Sequence, residues 1–142
     1  MFKSLRIIFT AGILVLLTSF FSSCSKKVNF PTSSIAPAAV GSVKIKKDNN
    51  KNFAISVKIQ NLPDAKRLNP PRKYYVVWSE TSNNRLKNLG RIVSSSGFLS
   101  SKMKASLNAV SPTRPHRIFI TAENDEYVSY PGNMVVLDTG NF

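Results

Sequence analysis

From residue 40 onward the apolar residues recur at every second position, and no segment after residue 24 keeps helical spacing over three turns. A period of two is the repeat of a β-strand, so a core can be closed here only by laying sheet on sheet. Val43 and Ile45 alternate with Lys44 and Lys46, then Asp48 to Asn52 supply turn residues. Phe53, Ile55, Val57 and Ile59 next alternate with Ala54, Ser56, Lys58 and Gln60, which predicts a hairpin. Pro63 and the pair Pro70-Pro71 break the chain before Tyr74 to Trp78, a run apolar on both faces and therefore a central strand. After the polar turn Thr81 to Asn84, residues Arg85 to Val93 form one strand with Gly90 inside it. A loop of Ser94 to Gly97 leads to Met103, Ala105, Leu107 and Ala109, which alternate with Lys102, Lys104, Ser106 and Asn108. Pro112 and Pro115 bracket the following turn, and Arg117 to Glu123 and Asn133 to Asp138 are the last strands. About seven short strands in about 100 residues predict an antiparallel Greek-key β-sandwich of immunoglobulin type. Trp78 falls on the third strand, where such sandwiches bury an aromatic in the core.

The N-terminal segment follows a different order. Lys3 and Arg6 precede the apolar stretch Ile7 to Leu17, and small residues lead to Cys24, the only cysteine of 142 residues, in the setting Phe21-Ser22-Ser23-Cys24-Ser25. Charge, then an apolar run, then small residues is the layout of a secretory signal. With the cysteine at its end it resembles a bacterial lipobox, with Phe21 where leucine is common. The resemblance implies cleavage after residue 23 and acylation of Cys24. Two other readings of the segment stand beside it. Ile7 to Phe21 could be an uncleaved anchor, although it covers about 15 residues where a span needs roughly 20. Cys24 could instead be an unpaired thiol, which is a liability in an exported chain. Several acyl chains on one residue would anchor stably, at about 0.8 kcal/mol per buried methylene.

Residues 1–23 therefore read as a signal peptide, 24–39 as an acylated cysteine with a flexible tether, and 40–142 as one β-sandwich domain. The tether reading rests on Pro31, Pro37 and the serines and threonines of residues 25–39, which show no periodicity. Within it, Lys26 and Lys27 would lie beside lipid head groups. The chain holds 20 Lys and Arg against 7 Asp and Glu, and the loss of Lys3 and Arg6 leaves 18 against 7, a net +11. Such a field favours anionic neighbours: lipid head groups, lipopolysaccharide, acidic glycans or nucleic acid. Scattered lysines that alternate with apolar residues also describe ordinary solvated strand faces.

The second half of the chain holds Tyr75-Val76-Val77-Trp78, Leu89-Gly90, and Thr121-Ala122-Glu123 followed by Pro131-Gly132-Asn133-Met134-Val135-Val136-Leu137. In these pieces it is similar to the extracytoplasmic domain of anti-sigma-K factors, a likeness that runs from about Phe53 to Gly140. It implies the sandwich fold. It does not extend to sigma-factor control, because only a signal peptide and tether precede the domain, and Asn124-Asp125-Glu126-Tyr127 replaces that family's glycine-rich turn.

Catalytic chemistry finds little to work with. His116, the only histidine, lies in a Pro115-His116-Arg117 turn with no nucleophile motif beside it. Glu123, Asp125 and Glu126 are near neighbours in a loop, where consecutive carboxylates rarely converge on one point, and no calcium-loop spacing is present. A zinc site would need about four ligands, and Cys24 is committed to lipid. The expectation is a protein without catalytic residues, cofactor or metal. Its lipidation site is Cys24, and its candidate surface-binding residues are Lys26, Lys27, Arg72, Lys73, Tyr127 and Tyr130. Its expected partners are the membrane, through the lipid on Cys24, and anionic envelope components. Ser25 follows the cysteine where an aspartate would retain a lipoprotein at the inner membrane, so the expected location is the outer membrane, facing the periplasm. An accessory hydrolase using Glu123, Asp125 and His116 is the rival expectation from another class.

Overall fold

The computed structural model describes residues 25–95 and 104–142. Cys24 and the signal segment lie outside the described residues, as do Gly97, Lys102 and Met103. Among the described residues nine strands form two antiparallel sheets, and no helix is long and apolar enough to cross a membrane. The first sheet has the order β1 (Ser25–Asn29), β2 (Val40–Lys47), β3 (Phe53–Gln60), β7 (Lys104–Ser111), β6 (Val93–Ser95). The second has the order β5 (Leu86–Arg91), β4 (Tyr74–Glu80), β8 (Arg117–Glu123), β9 (Val135–Asp138). Setting β1 aside, this is the strand order of an immunoglobulin-like Greek key.

The core between the sheets follows from alternation. Val43, Ile45, Ile55, Val57 and Ile59 face inward from the first sheet, and Tyr75, Val77, Ile118, Ile120 and Ala122 meet them from the second. No described residue is a cysteine, and packing alone joins the sheets. Both sheets and this whole core lie within residues 25–142.

The structure corrects the sequence expectations in three places. The segment expected to be a flexible tether is folded. Lys26 pairs with Ile45 and Val28 with Val43 at the sheet edge, and the Phe30 N–H donates to the Gly41 carbonyl at 3.0 Å. Phe30, Ala36 and Ala39 enter the core, and Ser33 Oγ accepts from the Ile35 and Ala36 N–H groups. The prolines and serines that suggest a linker instead shape a tight connection in which the Ile35, Ala36 and Ala39 N–H groups are hydrogen-bonded. The folded unit already includes residues 25–39 and does not start at residue 40.

Arg85 to Val93 is not one strand. β5 ends at Arg91, Ile92 donates its N–H to the Tyr75 carbonyl, and β6 then pairs with β7 in the other sheet. Gly90, at φ 114°, sits beside the register shift opposite Val77 and Trp78 where the chain departs. A left-handed backbone there favours glycine. With β1, this change of sheet turns about seven strands into nine.

Trp78 is fully buried, but not in the core between the sheets. Tyr75 and Val77 point inward, so Val76 and Trp78 point to the outer face of the second sheet. There Trp78 stacks on Phe119, with centroids 6.4 Å apart, and its Nε1–H donates to Thr121 Oγ1 at 2.8 Å. The β8–β9 loop folds over this cluster. Val128 packs on it, Asn88 Nδ2 donates to the Glu126 and Val128 carbonyls, and Glu123 Oε1 accepts the Gly132 N–H at 2.7 Å. A Cβ on Gly132 would lie 2.8 Å from Glu123 Oε2, so glycine permits this closure.

The same outer face ends in an ion cluster. Arg117 donates from Nε to Asp138 and from Nη1 to Glu80, each at 2.9 Å, and its second Nη group also bonds Asp138. It thereby ties β4, β8 and β9 together over the Phe119 ring. The hydrogen bonds from Arg117 hold the Asp138 carboxyl below its ordinary range, and the Gly140 N–H adds to this. A depressed folded-state pKa stabilises the fold above the unfolded value near 4, and that stability is lost as pH falls through the folded value. Asp138→Asn is expected to remove about 0.5 to 1 kcal/mol at neutral pH, a partly exposed pair being screened. It should also flatten the loss of stability below about pH 4. Urea midpoints measured across that range check both, and parallel acid limbs for the two proteins would count against the assignment.

Candidate functional site

The charges are distributed unevenly over the two sheets. None of β1, β2, β3, β6 and β7 contains an aspartate or glutamate. All seven carboxylates lie elsewhere, and each has a structural partner. Asp48 accepts from Asn50 and Asn52 in the β2–β3 turn, and Asp64 caps the 3-10 turn Ala65–Arg67. Asp125 accepts from the Tyr127 N–H and Glu123 from the Gly132 N–H. Glu126 pairs with Arg91, and Glu80 and Asp138 share Arg117. Arg91 and Arg117 are the only cations in ion pairs among the described residues, so lysines carry most of the excess charge without a counter-ion.

Register gathers those lysines. Because Val43, Ile45, Val57 and Ile59 face inward, Lys44, Lys46 and Lys58 face outward, and pairing places Lys27 opposite Lys44 and Ser106 opposite Lys58. Lys104 sits on the same outer face, opposite Gln60. The remaining positions of that face are Ser25, Ser42, Ser56, Asn29, Asn108, Ala54 and the exposed Val40, Val93 and Val110. The second sheet's outer face is spent on Trp78 and the loop above it. No described residue covers the first sheet's outer face.

The other sequence candidates scatter. Lys27 belongs to this face, whereas Lys26 turns away and holds its Nζ 5.0 Å above the Phe142 ring. Arg72 and Lys73 precede β4 at the opposite end of the sandwich from Ser25, where the Lys73 N–H donates to the Glu123 carbonyl. Tyr127 and Tyr130, 83% and 79% exposed, project from the loop that covers Trp78, so that loop half-buries Val128 and displays two phenols. Tyr75 is buried, and its OH has no hydrogen-bond partner among the described residues. It borders a cleft of about 350 Å³ lined also by Lys73, Tyr74, Arg91 and Lys104. Desolvation, then the nearby Asp64 charge, pushes the Tyr75 phenol up to about 12, so it stays protonated at neutral pH.

The three groups of the hydrolase alternative do not converge. His116 and Glu123 flank and end the seven-residue β8, about 23 Å apart at about 3.3 Å per residue. Asp125 lies in the exposed loop beyond Glu123, bonded to the Tyr127 N–H. Among the described residues no three of His, Cys, Asp and Glu are grouped to hold a metal ion. No family of known proteins, no curated protein and no solved structure matches this chain. Sequence reasoning missed Lys44, Lys46, Lys58 and Lys104 as a set. Their signal was the alternation itself, in which every inward aliphatic fixes an outward neighbour.

Proposed function

We propose that the chain is an exported lipoprotein, held in a bacterial envelope by acyl chains on Cys24, whose β-sandwich is a non-catalytic binding module facing the periplasm from the outer membrane. The observation that carries this is the N-terminal order of Lys3 and Arg6, Ile7 to Leu17, Phe21 to Ser23 and a lone Cys24. Binding without catalysis is favoured because the carboxylates are bonded to backbone groups and arginines, while the lysines are free to meet a ligand.

Metabolic labelling with a radioactive fatty acid is the direct test. The wild-type chain should take up label and lose residues 1–23, and Cys24→Ser should abolish both labelling and sedimentation with membranes. Label that survives the substitution, or a wild-type chain that keeps its full length, would overturn the anchor. Trypsin added to intact cells reports the side of the membrane. Lys66 and Arg67 are exposed on their 3-10 turn, so a domain on the outside would be cut there.

A further inference from the structure

The geometry points to a second membrane contact: the outer face of the sheet β1-β2-β3-β7-β6 docks on an anionic lipid bilayer, with Lys27, Lys44, Lys46, Lys58 and Lys104 against the head groups. Its placement beside a membrane rests on the anchoring at Cys24 proposed above. The charge pattern does not.

Two features separate this face from an ordinary solvated strand surface. Lys27 stands directly opposite Lys44, with Lys58 on the diagonal, and like charges across a pair of strands destabilise the sheet. A single edge lysine guards against unwanted strand pairing. That account covers Lys27 on β1 but not Lys44 or Lys58, whose strands are paired on both sides. A surface that opposes its own folding and holds no carboxylate is relieved by a dense anionic partner.

The chain geometry selects a bilayer as that partner. Ser25 and Lys27 alternate onto this face, and Cys24 precedes Ser25 directly, within about 3.8 Å between neighbouring Cα atoms. With β1 already in the sheet, no free tether holds the domain off the surface. The nearest lysines then lie on the order of a Debye length, about 8 Å, from the head groups. Val40 and Val110, both more than half exposed, stand among the lysines where an interfacial contact would bury them.

The test uses residues 25–142 without lipid, so it does not depend on acylation. Sedimentation with phosphatidylglycerol vesicles should carry the domain down. Phosphatidylcholine vesicles should not, and about 1 M salt, where the Debye length is about 3 Å, should release it. A lysine beside an anionic surface is worth about fivefold in partitioning, so K44Q/K58Q should weaken binding roughly 25-fold. K66Q/R67Q removes the same charge from the 3-10 turn and should leave binding near wild type. Circular dichroism confirms that each variant is folded. The proposal falls if the wild-type domain ignores phosphatidylglycerol, or if both double variants weaken equally, since net charge alone would then be responsible. Binding to heparin or duplex DNA but not to phosphatidylglycerol would overturn it in favour of an acidic polymer. An acylated protein whose soluble domain ignores anionic vesicles refutes the docking face and leaves the anchor standing.

Discussion

Trp78→Ala is expected to destabilise the domain by about 3 to 5 kcal/mol, the range for truncating a large buried aromatic. A domain of this size has roughly 5 to 15 kcal/mol in total, so the variant should be largely unfolded at modest urea concentrations. The loss has two parts. One is the apolar contact with Phe119, Val76 and Val128, and the other is the Nε1–H bond to a Thr121 hydroxyl that is itself fully buried. Trp78→Phe keeps most of the first and removes the second, so it should cost about 1 to 3 kcal/mol, the penalty for a buried hydroxyl left unpaired. The outer-face location adds a sharper expectation. Asn88→Ala frees the Glu126 and Val128 carbonyls that pin the covering loop. It should therefore shift Trp78 emission toward the red while the inter-sheet core stays folded. Circular dichroism follows unfolding in the tryptophan variants and fluorescence follows the loop. Emission near that of water in the wild-type domain, or a Trp78→Ala cost below about 1 kcal/mol, would show that the indole is not buried where the structure places it.

That tryptophan marks the boundary of what a periodic sequence tells. Alternation identified β2, β3 and β7, because burial on one face is a local property of every second residue. Tyr74 to Trp78 showed no alternation and so announced burial on both faces, but which residue faced which layer depended on the covering loop. Nothing in Asn124 to Met134 forecast that the segment folds back over β4 and β8. The carboxylate of Glu123 and the space left by Gly132 achieve this through contacts visible only in three dimensions. The lysine face has the opposite history. Lys44, Lys46, Lys58 and Lys104 were each visible as a polar position in an alternating strand, yet their convergence with Lys27 needed the register of three strand pairs. The strand order placed β7 beside β3, far from it in sequence.

Phe30→Ala is expected to cost about 3 kcal/mol, at the lower end of the range for a phenylalanine retaining slight exposure. A flexible tether predicts no effect at all, which makes this the decisive comparison for where the domain starts. Lys27→Ala, three residues earlier on the outward face of β1, should fall within about 0.5 kcal/mol of wild type, on the stabilising side if relief from Lys44 dominates. The segment concealed its role because its buried residues are few and small. Val28 and Phe30 keep a period of two for a single step, and Ala36 and Ala39 contribute little to any hydrophobic pattern. An edge strand needs no more, since one neighbour supplies its hydrogen bonds and one face its packing. Urea denaturation of residues 25–142, followed by the emission of the distant and unaltered Trp78, measures both variants. Removing residues 25–39 altogether should do more harm than Phe30→Ala, because it also strips β2 of its partner and leaves that strand as a bare edge. If the shortened domain unfolded at the same urea concentration as the longer one, β1 would be dispensable and the tether would be restored.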